Sequence, residues 1–438
     1  MVTAFDRKLI GEAVRLFEGR AVSDAEADKL RDRVRSREEF LEELWFRRGS
    51  LARLPDLAAT IERAQGKLLA STDWDANGET TQSRDPAAFT GDRIELTSDS
   101  GERAFYERLL AALDAAEPTA IYVPRWRGVA NSTRNLFRQT IPIPAAPSRH
   151  PDDIRPPKIA FYADLLLASR IRHFVISGGD IFHLALITSV LQQDPNIRFD
   201  VLWHSGYVQM GELHDWRLLC HWLSAVKDGA VTRIGVVKSG LDVFLRQLGL
   251  DAVFVPNVIG IDPERLRPTE VTDIAGIWLS GSTSYRKLPH AMIAAVKAMR
   301  GFYLKGAGLQ AEGLALVSAL DVPFLQLFEN PIPHQRLQRE MAQTAVSLYV
   351  TISECSPMLP LESFALGVPC LVGPSSHLFG DHVLLREMLV VEQPYNPGLI
   401  ADMAIAAVMQ RHELVAAYRG YIREEEARAH AALARFLA

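Results

Sequence analysis

Short apolar runs alternating with helical segments predict an α/β chain with two doubly wound parallel sheets in tandem, behind a helical N-terminal region. Three observations carry that reading. The chain has 438 residues, which at roughly 100–200 residues per domain implies two or three cores. Its side chains are 48% apolar and 23% charged, a globular composition rather than a fibrous or disordered one. The apolar period changes near Thr119, from helical spacing to strand-sized runs separated by helices.

Each element follows from its local pattern. In residues 1–117, Leu9, Val14, Leu16, Leu30, Val34, Phe40, Leu44 and Phe46 recur at helical intervals among Arg and Glu. A polar loop over 71–101 and a helix over about 102–115 complete this region. The first alternating set is AIYVP (120–124), a helix from Ser132, HFVIS (173–177), helix 181–192, FDVLW (199–203), helix 212–226, RIGVV (233–237), helix 240–248 and AVFVP (252–256). A Pro-rich joint, PNVIGIDPERLRP (256–268), interrupts it. The second set is GIWLS (276–280), helix 287–299, GFYLK (301–305), helix 309–319, PFLQL (323–327), helix 333–344, SLYVT (347–351), helix 359–366, PCLVG (369–373) and LVVEQ (389–393). Residues 397–437 read as one or two helices. The division is therefore a helical region (1–117), a first Rossmann-like domain (118–256), a hinge (257–272), a second Rossmann-like domain (273–411) and helices returning to the first domain (412–438). Ligands of such sheets bind beyond the carboxyl ends of the strands, here in the cleft between the two domains.

Charge and cysteine usage narrow the function. Lys and Arg number 48 against 53 Asp and Glu, a net charge of −5, so no global field favours nucleic acid. Cys220, Cys355 and Cys370 are too few for a disulfide framework and fit a reducing cytoplasm. No Cys/His spacing suits structural zinc. No apolar run reaches the ~18–20 residues that span a bilayer; peripheral membrane contact stays open. DWDANG (73–78) begins like a calcium loop but carries Arg84 at its twelfth position, so no metal site is expected. GxSxG, HExxH and GxxxxGK[ST] are absent.

The most informative stretch is TISECSPMLPLESFALGVPCLVG (351–373). A strand ends near Thr351, Glu354 sits in a polar loop, Glu362 lies in the first turns of a helix, and Gly367 closes that helix. Amides at a helix N-terminus suit phosphate or sugar oxygens, and a carboxylate suits a vicinal diol. On spacing alone, a solvated loop acid and a dipole-complementing Glu account for the pair equally well.

The segment resembles the E-x7-E signature of the retaining GT-B glycosyltransferases of family 4. FVPNVIGIDPERLRP (254–268) resembles that family's interdomain motif, and LSGSTSYRKLPHAMIAAVKAM (279–299) its following phosphate-binding motif. LKGAG (304–308) and VLWHSGY (201–207) match two further segments, and the resemblance covers about residue 119 to the C-terminus. It implies a GT-B fold, two Rossmann-like domains facing across a cleft, and transfer of a sugar from a nucleotide-diphosphate sugar to an acceptor hydroxyl with retention. It further implies that Glu354, Lys287 and His204 are catalytic, Lys287 as the diphosphate clamp. Glu362 would bind the ribose, with Arg286, Ser282, Gly281, Ser356, Pro357, Met358 and Leu359 completing the donor site. The family usually has an arginine where this chain has Ser282, with Arg286 as its substitute. The donor is a substrate; no cofactor or metal is implied.

The first turn of the first domain, PRWRGVANSTRNLF (124–137), occupies the place of the family's Gly-rich loop, with Gly128 and Arg127 as its loop residues. Arg125, Arg127, Arg134 and Arg138 with Trp126 suit an anionic acceptor or lipid headgroups, or equally form a plain basic helix face. SGGD (177–180) reads as a tight turn. Expected partners are a nucleotide sugar and a glycan, lipid-linked or protein acceptor, with self-association through residues 1–117 left open. A catalytically silent GT-B partner in a glycosylation complex and a GT-B sugar-nucleotide epimerase are the alternative readings.

Overall fold

The computed structural model describes Ser23 and residues 99–145, 156–206, 213–270, 272–279 and 285–438. The expected helices and loop of the N-terminal region before Asp99 lie outside the described residues, as do Gly281 and Ser282.

Helix α1 (Asp99–Ala111) leads into β1 (Thr119–Tyr122), α2 (Arg127–Leu136), β2 (Thr140–Pro142), α3 (Pro156–Ala168), β3 (His173–Ser177), α4 (Ile181–Leu191), β4 (Arg198–Trp203), α5 (Leu213–Lys227), β5 (Ile234–Val236), α6 (Leu241–Gln247) and β6 (Ala252–Phe254). The six strands are parallel, in the order β2-β1-β3-β4-β5-β6. The second set runs β7 (Ile274–Trp278), α7 (Pro289–Ala298), β8 (Tyr303–Ala307), α8 (Gln310–Ala319), β9 (Phe324–Phe328), α9 (His334–Met341), β10 (Val346–Tyr349), α10 (Met358–Ala365) and β11 (Cys370–Val372). Its five strands are parallel in the order β11-β10-β7-β8-β9. Helices α11 (Val383–Leu389), α12 (Pro397–Met409) and α13 (Arg411–Leu437) finish the chain.

The strands read as nearly unbroken apolar runs because helices cover both faces of each sheet. Phe174, Val175 and Ile176 are fully buried in the first core, and Ala275, Ile277 and Trp278 in the second. Local chemistry sets the helix ends. Asp180 caps α4, its side chain accepting from Phe182 N–H at 3.0 Å, and Asn396 caps α12 ahead of Pro397. Gly367 adopts φ +78, and a Cβ there would lie 1.7 Å from the Arg267 carbonyl oxygen, so only glycine fits.

One helix joins the two cores. The 27 residues of α13 extend about 40 Å at 1.5 Å per residue. Its first half packs in the second core, where Tyr418 stacks on Phe364 at 4.3 Å between ring centroids. Its second half, Ala429, Ala432, Leu433 and Phe436, packs with Ala120, Val175 and Leu202 of the first sheet. Arg233 donates to the last-turn carbonyls of Arg435 and Phe436, both at 2.9 Å.

Some expected elements are redrawn. LVVEQ (389–393) is not a strand: Leu385 and Leu389 are buried one turn apart on α11, and only Val390 bridges to Val372. Helix α2 starts at Arg127, not near Ser132. The short edge strand β2, with Pro142 inside it, and helices α3 and α11 carry too weak a periodic signal to be read locally. Among the described residues, no helix is long and apolar enough to cross a membrane.

Candidate functional site

A doubly wound sheet has a crevice where its strand order reverses, between strands whose following loops run to opposite sides. In the second sheet that point lies between β7 and β10. The loop after β7 carries Arg286 and Lys287, and the loop after β10 carries Glu354. Chain connectivity therefore delivers these three residues to one place.

The backbone there is shaped sharply. Tyr285–Lys287 form a 3-10 turn, and Leu288 then adopts the left-handed conformation (φ 45, ψ 47) before Pro289 opens α7. A non-glycine residue pays about 1–2 kcal/mol for that conformation, and such outliers concentrate at functional sites. Ile352 N–H donates to the Arg286 carbonyl at 2.7 Å, closing the two loops on each other.

Glu354 is the centre of the resulting cluster. Its Oε1 accepts from Lys287 Nζ, from Arg286 at 3.3 Å and from the Tyr349 hydroxyl at 2.9 Å. Lys287 also donates to the Tyr349 hydroxyl and lies 4.7 Å from the centroid of that ring. The Lys287, Arg286 and Glu354 side chains are only 5%, 13% and 11% exposed. Burial pulls the Lys287 ammonium below its ordinary range, and Glu354 opposes the shift. Burial and the Glu354 carboxylate push the Tyr349 phenol well above its ordinary range, so it serves as a neutral donor. Two cations face one carboxylate, and Arg286 Nε is buried without a hydrogen-bond partner among the described residues.

Glu362 occupies a different setting. It rides on α10, and its Oε1 lies 3.1 Å from Nε2 of His334, the first residue of α9. The hydrogen bond to Glu362 raises the His334 pKa, against its partial burial and the charge of Arg127 from α2. The first sheet thus reaches this mouth. A Cβ on Gly128 would lie 3.6 Å from Met358 Cγ, across the junction. Arg127 and Gly128 open a helix here and are not loop residues. At the N-terminus of α10, the N–H groups of Met358 and Leu359 lack intrahelical partners, while Pro357 and Pro360 have none to offer.

Buried polar contacts fix the glutamate loop to the first sheet. Lys238, just after β5, donates to the carbonyls of Glu354 (2.8 Å) and Ser375. Asn257 donates its backbone N–H to Ser356 Oγ at 3.0 Å and its side-chain amide to the Ser356 carbonyl at 2.7 Å. Ser132 on α2 donates to Asn257 Oδ1 at 2.9 Å. Ser356, expected in the donor site, directs both oxygens at Asn257. Cys355 packs with Val175, Leu202, Val237 and Phe436, behind the loop, and burial first, then Glu354, pushes its thiol up to about 12.

His204 follows β4 and belongs to a separate group at the reversal point of the first sheet. Its Nε2 lies 3.0 Å from Ser177 Oγ, which in turn meets Thr133 Oγ1 at 2.7 Å. Enclosure pushes the His204 pKa down to about 3, although part of the residue still meets solvent. The ring is therefore neutral near pH 7. SGGD is a tight turn: Gly178 and Gly179 have φ +83 and +74, and Trp126 packs on Gly178. Elsewhere, a cavity of about 480 Å³ is lined by mutually paired charges, Arg428 with Asp381 at 2.7 Å and Glu425 at 2.6 Å.

Tyr349, Lys238, Asn257 and His334 are site residues that sequence reasoning missed. Tyr349 reads as one more apolar strand position, and Lys238 as a solvated lysine. Asn257 stands inside the hinge motif, the one place where a sequence signal existed.

No family model matches the chain, and no curated protein matches it in sequence. Among solved structures, it is similar to the sucrose-phosphate synthase of Thermosynechococcus elongatus, with a TM-score of 0.51 and 14% identity over 73% of this chain and 98% of that one. The Anabaena protein HepE, solved in complex with UDP and glucose, gives a TM-score of 0.52 and 10% identity, again over 73% and 98%. The fold is GT-B. At such low identity the likeness carries the architecture and leaves the chemistry to the site itself.

Proposed function

We propose that this chain is a glycosyltransferase that moves a sugar from a nucleotide-diphosphate sugar to an acceptor hydroxyl, with retention of configuration. The observation that carries the reading is the Arg286–Lys287 pair, buried at the reversal point of the second sheet with a single carboxylate between two cations. A departing diphosphate needs such fixed positive charge in a dry site. The amides of Met358 and Leu359 suit its phosphate oxygens, and Glu362 suits the ribose diol. UDP and glucose bound to the similarly folded Anabaena protein make a nucleotide sugar the natural class to test.

In this reading the acceptor hydroxyl attacks from the face that the diphosphate leaves, and the leaving oxygen takes the proton. Arg286 and Lys287 stabilise the growing negative charge. His204, neutral, orients the sugar from the first sheet. Domain approach at Gly128 and Met358 excludes water. The hinge is residues 257–272, with the acceptor bound by the first domain.

A thermal-shift screen against a panel of nucleotide sugars is the test. One donor class is expected to raise Tm by mass action, and Lys287→Ala to lower its transfer by about 100-fold or more, the scale of losing one transition-state donor. Product anomer analysis decides retention. Binding without transfer supports a silent GT-B partner instead, and inversion of a sugar-nucleotide stereocentre supports an epimerase. Transfer that survives both Lys287→Ala and Glu354→Ala overturns the site.

A further inference from the structure

The cluster at the reversal point is electrically incomplete. Arg286 and Lys287 bring two positive charges into a nearly dry pocket, and Glu354 supplies one negative charge. Lys238, half-buried on the Glu354 carbonyl, adds a third cation nearby. Buried charges are retained when paired, and an unbalanced one attracts a counter-ion. Arg286 Nε, buried without a hydrogen-bond partner among the described residues, is a donor in the same cluster. The hydrogen bonds of Arg286, Lys287 and Tyr349 to Glu354 all fall on one oxygen, Oε1.

We propose that Glu354 is an internal substitute anion that holds the place of the donor diphosphate on Arg286 and Lys287, with the Tyr349 hydroxyl as the positioning group that keeps it there. The inference rests on the donor-site reading above and adds an order of events to it. An arriving diphosphate, with more negative charge than one carboxylate, exchanges with Glu354 on the two cations. The displaced carboxylate is then available to the hydroxyls of the sugar. Tyr349 suits the positioning role because its ring faces Lys287 at 4.7 Å while its hydroxyl reaches both Lys287 and Glu354. The groups facing Lys287 are Arg286 from its own turn, Tyr349 from β10, and Glu354 and the neutral Cys355 thiol from the following loop.

The consequence runs against what an ordinary binding residue would show. Glu354→Gln removes a competitor for the cations while keeping the shape of the side chain. It is expected to bind a nucleoside diphosphate about tenfold tighter than the wild type, a shift readily resolved by titration, while transferring sugar more slowly. Tyr349→Phe keeps the ring and its contact with Lys287, loosens Glu354, and is expected to tighten binding by a smaller factor in the same direction. Calorimetric titrations of the full chain with UDP, GDP, ADP and inorganic pyrophosphate test this. Weaker or unchanged binding in both variants overturns the proposal. If no nucleotide binds either wild type or Glu354→Gln, the glycosyl-donor reading fails. Pyrophosphate then still decides the exchange, since tighter pyrophosphate binding in Glu354→Gln supports it and equal or absent binding sinks it.

Discussion

Glu354 and Glu362 stand eight positions apart in one segment but end in different electrical surroundings. Glu354 sits among two cations and a buried phenol, tied down by the first sheet through Lys238. Glu362 meets one half-buried histidine at the rim. The difference teaches that a spacing motif brings chemical groups to a crevice, whereas neighbours from distant strands decide what each group does there. Glu354 balances buried charge and so bears on stability as well as ligand exchange. Glu362 is as enclosed as Glu354, 13% against 11% exposed, but meets a single half-buried histidine among the described residues and so is the better placed of the two to meet a nucleoside directly.

Replacing each glutamate by leucine separates these roles most sharply. Glu354→Leu leaves Arg286 and Lys287 buried without a counter-charge, a loss of about 3–5 kcal/mol. Glu362→Leu lets His334 turn to water and changes stability by less than about 1 kcal/mol. Urea unfolding of the two variants beside the wild type measures this, and equal losses would erase the distinction.

The pH dependence of stability should differ as well. His334 has its pKa raised by Glu362, so its contribution is full below about pH 6.5, the usual histidine value, and is lost as pH rises through the folded-state value. Glu362→Gln should remove that slope. His204, pushed down to about 3, acts with the other sign: the unfolded chain takes up the proton first, so stability falls as pH drops below about 6.5. His204→Gln should flatten the acid side only. Unfolding midpoints between pH 5 and 8 test both, and a His204 ring that titrates by NMR in that range would refute its assignment as neutral.

The smallest effect concerns thiols. Cys355 and Cys370 are buried, with Cys355 pushed up to about 12 and Cys370 well above its ordinary range. Iodoacetamide should leave both unmodified in the folded chain at pH 8, with or without nucleotide. Protection of Cys355 that depends on donor would instead place it in the site.

Much of the fold was legible because parallel strands buried on both faces announce themselves as short apolar runs. The five strands of the first sheet other than β2 and all five of the second were read within a few residues. The failures have local causes. LVVEQ is as β-like as its neighbours, but Leu385 and Leu389 commit the preceding residues to a helix that buries them. Strand β2 has three residues and a proline, too little for a period. Within the site, Arg286, Lys287, Glu354 and Glu362 were legible as charged groups in suggestive places. Tyr349 was not, because a tyrosine at a strand's end is indistinguishable from core packing until its hydroxyl is seen to bridge Lys287 and Glu354. Ser356 was assigned to the donor side of the loop but turns to Asn257, since sequence does not say which way a loop residue faces.

The sequence by itself determined the alternation of strands and helices, the two-sheet plan and the inventory of charged groups after the strands. Each depends on residues close together along the chain, where period, caps and glycines act directly. Tertiary structure alone decided that β10 lies beside β7, that Lys287 is balanced by Glu354 rather than by solvent, and that Lys238 and Asn257 anchor the glutamate loop from the other sheet. Those outcomes follow from strand order and from the desolvation of charges brought together across more than sixty residues, which no local pattern encodes.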